Sequence, residues 1–318
     1  MKIGITLHPD RGIDAVMAEA RAADEQGYDS VWLFDHLMAF NSPVHMPDGP
    51  FENFTLMTAI GVATKRTRLA WAMLNVSFRY PAVLAKMLST LDHVTKGRVI
   101  CALGSGWFKE EYEAYNLPLL DDHDDRAEYA REVVAMIKEL WTHPAPERVT
   151  FEGKHVRTKE LPFNPAPYQK PHPPIWFGGD SEATLQTVRA YADGWVLLRS
   201  TRADVEATLA APDWPQRPMT LVRNARIFAG DTHDDAVAIA TREFDLSKAA
   251  GAPGLPETVA EFLANEIVGS ADEVLPRVLD FESWGINYLR VNFQTAEAQE
   301  KLALNLLPLL ETTQVAAD

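Results

Sequence analysis

The chain has 318 residues, 47% of them hydrophobic and 24% charged, with a formal charge of −15 and a sequence pI near 5.0. Such a field disfavours nucleic acid and anionic membranes as partners and points to a small molecule. A single cysteine, Cys101, excludes an intrachain disulfide framework and predicts a reducing cytoplasm, while the absence of a leader or of an apolar run of about eighteen residues predicts neither export nor membrane insertion.

Taken in order, residues 2–7 have the composition of a strand, 13–26 read as an amphipathic helix stopped by Gly27, and 30–34 as a second strand. A helix over 54–65, a strand over 68–74 and a helix over 81–94 started by Pro81 come next, then a strand over 98–103. The long excursion at 109–174 carries a helix over 125–141 and a proline-rich arm with a small hairpin near 151–154. The arm feeds a strand at Ile175, followed by a helix over 182–192, a strand over 194–198 and a helix over 202–211. A strand over 219–228, a helix over 234–246, an irregular segment at 251–256, helices over 257–266 and 271–282, a strand over 286–293 and a helix over 297–310 complete the order. Eight strands alternating with helices predict an α/β fold, a (β/α)8 TIM barrel as one domain over 1–318, with a frayed tail at 312–318.

In such a barrel the loops after the strands converge on one face. That rule gathers Asp35 and His36, then Asn75 and Arg79, then Ser105, Gly106 and Trp107, then Gly178, Gly179, Asp180 and Ser181, then Arg199 and Asn292. Paired glycines between a strand and a helix start admit close approach by a ligand, and the free N–H groups of the helix end suit a phosphate. The same turn also reads as an ordinary helix start capped by Asp180 or Ser181. His36 is the acid–base candidate, since imidazole titrates near neutrality; Asp35 points to the opposite side of a strand and anchors the loop instead. His8 is a second histidine candidate. Trp107 either stacks beside a flat ring or caps the barrel mouth. Arg223, Arg226 and Arg290 suit an anionic substrate or ordinary ion pairs.

No metal-site spacing links His45, His93, His123, His143, His155, His172 and His233, so no metal is expected. The sequence holds no G-x-S-x-G elbow, no P-loop and no G-x-G-x-x-G after a strand. The acidic run Asp121, Asp122, Asp124 and Asp125 lacks calcium-loop spacing and reads as the cap of the following helix.

Six ordered segments carry a resemblance: Asp-Ser-Val-Trp-Leu-Phe-Asp-His at 29–36, Tyr-Pro-Ala-Val-Leu-Ala-Lys at 80–86, Leu-Asp-His-Val-Thr-Lys-Gly-Arg at 91–98, Gly-Ser-Gly-Trp at 104–107 with Glu111-Tyr112, Pro-Pro-Ile-Trp-Phe-Gly-Gly at 173–179 and Ala-Asp-Gly-Trp at 192–195. Together they resemble the bacterial-luciferase-like superfamily of flavin-dependent oxidoreductases. The resemblance implies a luciferase-like barrel that uses reduced FMN with dioxygen, or else the 5-deazaflavin coenzyme, with flavin supplied by a separate reductase and subunits joined as homo-oligomers. It implies that His36 is the active-site histidine and that Gly178, Gly179, Asp180 and Ser181 hold the phosphate. It further implies that Ala72-Met73 is a non-proline cis peptide beneath the ring, and that Asn75, Ser105, Gly106 and Trp107 border the ring. Trp107 departs from the sugar-phosphate deazaflavin dehydrogenases of the superfamily, which have a glutamate there. The expected function is a monooxygenase acting on a small organic substrate, the alternatives being deazaflavin hydride transfer and a non-catalytic flavin-binding protein.

Overall fold

A computed structural model describes residues 1–9, 12–38, 50–198, 200–249, 255–293 and 295–310. Arg199, His45, the expected tail at 312–318 and most of the irregular segment at 251–256 lie outside the described residues. The chain packs as two compact units, one from Met1–Leu33, Leu37–Phe51 and Leu221–Asp318, the other from Phe34–His36 and Glu52–Thr220.

In the first unit, strand Lys2–Thr6 pairs in parallel with Ser30–Leu33 on one side and Tyr288–Asn292 on the other, and the latter pairs with Thr220–Ala225. Strands of this kind are buried on both faces, which is why they read as nearly continuous apolar runs. Helix Ile13–Gln26 buries Val16, Ala20 and Ala23 and ends at Gly27, whose φ of 90° is the left-handed conformation that glycine adopts without a Cβ penalty. The stretch expected as one strand over 219–228 is two strands, because Ile227–Gly230 leaves the main sheet and pairs with Ile267–Ser270, a four-residue strand that the sequence reading did not find. His8 Nδ1 lies 3.4 Å from Glu19 Oε1. Arg223 lies over the rings of Phe281 and Trp284, and Arg226 lies 3.8 Å from Glu266. Arg290 donates from Nε to Asn224 Oδ1 at 2.5 Å, and burial pushes its guanidinium down to about 10.

In the second unit, strands Leu74–Asn75, Cys101–Gly104, Ile175–Gly178 and Gly194–Leu197 pair in parallel in that order, and Leu69 bridges Val99. The stretch expected as one strand over 68–74 is interrupted after Trp71, where the Ala72–Met73 peptide is cis. Helix Pro81–Val94 starts with proline at its first turn, and Trp141 on helix His123–Thr142 donates from Nε1 to Ala85 O at 3.2 Å, joining the two helices. Asp122 caps His123–Thr142, accepting from the N–H groups of Asp124 and Asp125. The arm holds the hairpin Val149–Glu152 with Arg157–Leu161 and is pinned by Gln169, which bonds the buried Asp92 through both N and Nε2. It also opens with a short helix, Lys109–Ala114, inside the stretch read as part of the excursion. Cys101 is fully buried, and that burial, with Asp193 and Asp92 adding to it, pushes its thiol well above the ordinary range. Among the described residues, no helix is long and apolar enough to cross a membrane.

Candidate active site

A cavity of about 330 Å³ in the second unit is lined by His36, Ala72, Met73, Asn75, Ser105, Gly106, Trp107, Gly178, Gly179, Asp180 and Ser181. The structure thus brings His36 together with the residues expected around the cofactor and with Asp35, whereas His8, Arg79, Arg223, Arg226, Arg290 and Asn292 do not line this cavity. Phe108, Glu111, His123, Arg126 and Thr184 line it as well.

His36 comes three residues after strand Ser30–Leu33, and its backbone carbonyl accepts from Asn53 Nδ2 at 3.1 Å. Its ring Nδ1 stands 3.1 Å from Glu111 Oε2, a carboxylate whose side chain is only 1% exposed. An ionised carboxylate only accepts, so a neutral His36 carries its proton on Nδ1 and presents Nε2 as the basic nitrogen. Trp107 and Phe108 meet the imidazole edge-on, with ring centres 5.9 and 6.2 Å away. Trp107 is 62% exposed, so one face of this aromatic wall is in solvent.

Asp35 takes the anchoring place. Its buried carboxylate accepts from Arg79 Nη1 at 2.7 Å, from Arg79 Nη2 at 3.0 Å and from the Asn75 backbone N–H at 2.8 Å. Arg79 also bonds Glu52, which caps helix Asn53–Ala63. Burial works against the Arg79 charge, yet Asp35 and Glu52 outweigh it and hold the guanidinium above its ordinary value. Burial likewise raises Glu52, but hydrogen bonds from Thr55 and Arg79 bring it below the usual carboxylate range.

Asn75, fixed by Asp35, places its amide against Tyr112: the hydroxyl lies 2.7 Å from Nδ2 and 2.9 Å from Oδ1. Burial pushes the Tyr112 phenol up to about 12, so it is neutral across the physiological range. Gly106, at φ 76°, leaves room for that hydroxyl, since a Cβ there would fall 1.9 Å from it. Gly104 and Gly178 serve a different need, namely space beside Met73: a Cβ on either would come within 2.7 Å of the Met73 side chain. The result is a floor in which the thioether of Met73 and bare backbone replace branched side chains.

The turn after Ile175–Gly178 is held by a set of bonds, among them the Gly179 N–H to Val196 O at 3.2 Å. Trp195 Nε1 donates to Gly179 O at 2.8 Å, the Leu198 N–H donates to Asp180 Oδ1 at 3.1 Å, and Ser181 Oγ accepts from Thr184 N at 3.3 Å as the cap of helix Glu182–Tyr191. The positive end of a ten-residue helix therefore opens into the cavity. Arg126, on helix His123–Thr142, lines the same space and donates from Nη1 to Leu120 O and Asp121 O, both at 2.7 Å. Its Nε is buried with no hydrogen-bond partner among the described residues. Arg126 had no signal in the sequence, being one basic residue at a helix start, and Glu111 was visible only as part of a motif.

A separate cluster, Asp125, Glu128 and His155, has ligand atoms close enough to share a cation. The Lys154 ammonium already bonds Asp125 at 2.7 Å and Glu128 at 2.8 Å, supplying the positive charge these carboxylates need.

The family model described as luciferase-like monooxygenase matches residues 1–288. The chain is 30% identical over 196 residues to an FMNH(2)-dependent dimethylsulfone monooxygenase of Pseudomonas putida, covering 60% of this chain and 53% of that one. It is 33% identical over 181 residues to an F420-dependent glucose-6-phosphate dehydrogenase of Microbacterium testaceum, covering 55% and 49%. The chain spans about half the length of both relatives. The crystal structure of the monooxygenase RslO1 from Streptomyces bottropensis matches with a TM-score of 0.78 at 22% identity, covering 98% of this chain and 100% of that one. That likeness shows the fold, the (β/α)8 barrel expected from the alternation of strands and helices.

Proposed function

Since the chain belongs to the luciferase-like monooxygenase family, we propose that it is a reduced-FMN-dependent monooxygenase that acts with dioxygen on a small organic substrate. The observation that carries this reading is one cavity joining an imidazole–carboxylate pair, the glycines Gly104 and Gly178 beside Met73 and the N-terminal end of a helix. These residues fit a flavin mononucleotide. Gly104 and Gly178 leave a smooth surface for a planar ring, and the buried Arg126 Nε and the Ser181 turn suit a phosphate.

In this reading Gly178, Gly179, Asp180, Ser181 and Arg126 hold the phosphate, while Ala72, Met73, Asn75, Ser105, Gly106 and Trp107 border the ring. Bound reduced FMN supplies the electrons for dioxygen activation. His36 exchanges a proton through Nε2, and Glu111 keeps its ring in the required tautomer. Trp107 and Phe108 restrict water beside the imidazole. A separate reductase delivers the flavin, and the chain works as a cytoplasmic homo-oligomer.

Identity to the F420-dependent dehydrogenase supports a second reading, hydride transfer with a 5-deazaflavin. Oxygen distinguishes the two. Anaerobic titration with reduced FMN, followed by admission of air with candidate substrates, is expected to give oxygen uptake and an oxygen atom from dioxygen in the product. Substrate oxidation with deazaflavin and no oxygen uptake would overturn the monooxygenase reading. The Arg126→Gln variant is expected to weaken FMN binding while leaving riboflavin binding unchanged.

A further inference from the structure

A second space, a groove of about 520 Å³, adjoins the flavin cavity, with His123 and Ser181 lining both. It begins where the proposed phosphate end of that cavity lies. Its ionisable lining is mostly acidic: Asp122, Asp124, Asp125, Glu128 and Glu182 against the guanidinium of Arg131 and the imidazole of His123, which lies 3.2 Å from Asp124. Arg131 is itself engaged, 3.6 Å from Glu128 and bonded to Gln186. Two further cations reach these carboxylates from outside the lining, Lys154 bonding Asp125 and Glu128, and Arg189 bonding Glu182. Counting them, and with the imidazoles of His123 and His155 that also face these carboxylates counted as neutral, the carboxylates exceed the cations by two. The whole chain, at −15, adds to the same sign.

The two coenzymes that fit the ring site differ here. The phosphate of FMN is terminal. The 5-deazaflavin coenzyme continues from its phosphate into a chain of glutamates, each adding a carboxylate. We propose that this groove is a charge filter that admits a coenzyme ending at its phosphate and repels one that continues as an oligo-anion; the proposal rests on the flavin reading of the cavity. Arg126 and the end of helix Glu182–Tyr191 favour the phosphate itself, while the Asp122–Glu128 edge and Glu182 disfavour anything anionic beyond it. The groove is open to solvent, so the effect is largest at low ionic strength and fades as salt screens it.

The test uses the full chain and three probes followed by fluorescence: FMN, the deazaflavin ending at its phospholactyl group, and the same deazaflavin carrying an oligoglutamate tail. At low ionic strength the tailed form is expected to bind about ten-fold more weakly than the untailed one, the gap closing with added salt. An Asp124→Asn, Glu128→Gln double variant, away from the phosphate turn, should narrow the gap with FMN affinity changing far less, and an unchanged melting temperature reports that the fold is intact. Tailed coenzyme binding as tightly as the untailed form, or tightening as salt is lowered, overturns the filter alone. If none of the three probes binds, the flavin reading itself falls, and the filter with it.

Discussion

The imidazole of His36 and the carboxylate of Glu111 meet at 3.1 Å across 75 residues of chain, with Glu111 almost fully shielded from water. A hydrogen bond to a charged group contributes about 1.5–3 kcal/mol, which corresponds to roughly ten- to a hundred-fold in rate if it acts only in the transition state. Glu111→Gln keeps the shape but removes the charge, so it is expected to lower kcat by about that factor with KM nearly unchanged, and Glu111→Asp to recover part of the loss. His36→Ala should cost about a hundred-fold or more while the melting temperature barely moves. Full activity in either variant would remove the pair from the chemistry.

Three glycines of the site give a ranking that a thermal melt can check. Gly106→Ala forces a left-handed backbone on a Cβ that would sit 1.9 Å from the Tyr112 hydroxyl, and should cost about 1–3 kcal/mol. Gly178→Ala meets only the flexible side chain of Met73, with Cγ 2.7 Å and Sδ 2.8 Å from the new atom. It should therefore spare stability and instead weaken flavin binding by pushing the thioether into the cavity; Gly104→Ala, against Met73 Cβ, should fall between. A reversed order would refute the space argument.

Removing Arg79 leaves Asp35 buried without its counter-ion. Arg79→Met is expected to destabilise by about 3–5 kcal/mol, read by denaturant unfolding, and far more than Glu52→Gln does. Glu52 itself supplies the acid-side dependence. Its folded value is lowered, so its contribution is present above the ordinary carboxylate range and is lost as pH falls through the folded value. Because its side chain is 43% exposed, the contribution is screened to about a few tenths of a kcal/mol. Glu52→Gln should lower stability by about that amount at neutral pH, the difference vanishing as pH falls through the folded value, so that the acid-side profile is flatter.

On the alkaline side the sign reverses. Tyr112 is held protonated to about 12, so the stability from its neutral, buried form persists below the ordinary tyrosine value and declines as pH rises towards 12. Tyr112→Phe should make that decline shallower by removing one contribution to it, the buried Tyr28 and Cys101 and the half-buried Tyr129 supplying others of the same sign. It should also cost about 1–3 kcal/mol at neutral pH by leaving the Asn75 amide without the hydroxyl.

Much of the fold was legible because local signals agreed with it. Helices Ile13–Gln26 and Pro81–Val94 begin and end where glycine, proline and apolar period place them. Local signals fail where tertiary pairing decides: nothing local says that the chain after Ala225 leaves one sheet for another, or that Ile267–Ser270 is the strand it finds there. Helix Lys109–Ala114, with only six residues, is too short to show a period. Site residues that follow strands could be gathered by topology alone, as His36, Asn75, Ser105 and Gly178 were. Arg126 and Glu111 could not, because each reaches the cavity from a helix and its role depends on partners distant in sequence. Asp35 makes the bonds expected of an anchor, but not for the reason of strand alternation: the strand ends at Leu33, and Asp35 and His36 both line the cavity.

The sealed thiol of Cys101 makes the molecule convenient for spectroscopy. With the sole cysteine of the chain fully buried and its proton firmly held, maleimide and disulfide reagents have no native target while the fold is intact. A cysteine introduced on the solvent-exposed Val62 or Leu304 would then be a single attachment point for a dye or spin label, with no background substitution needed first.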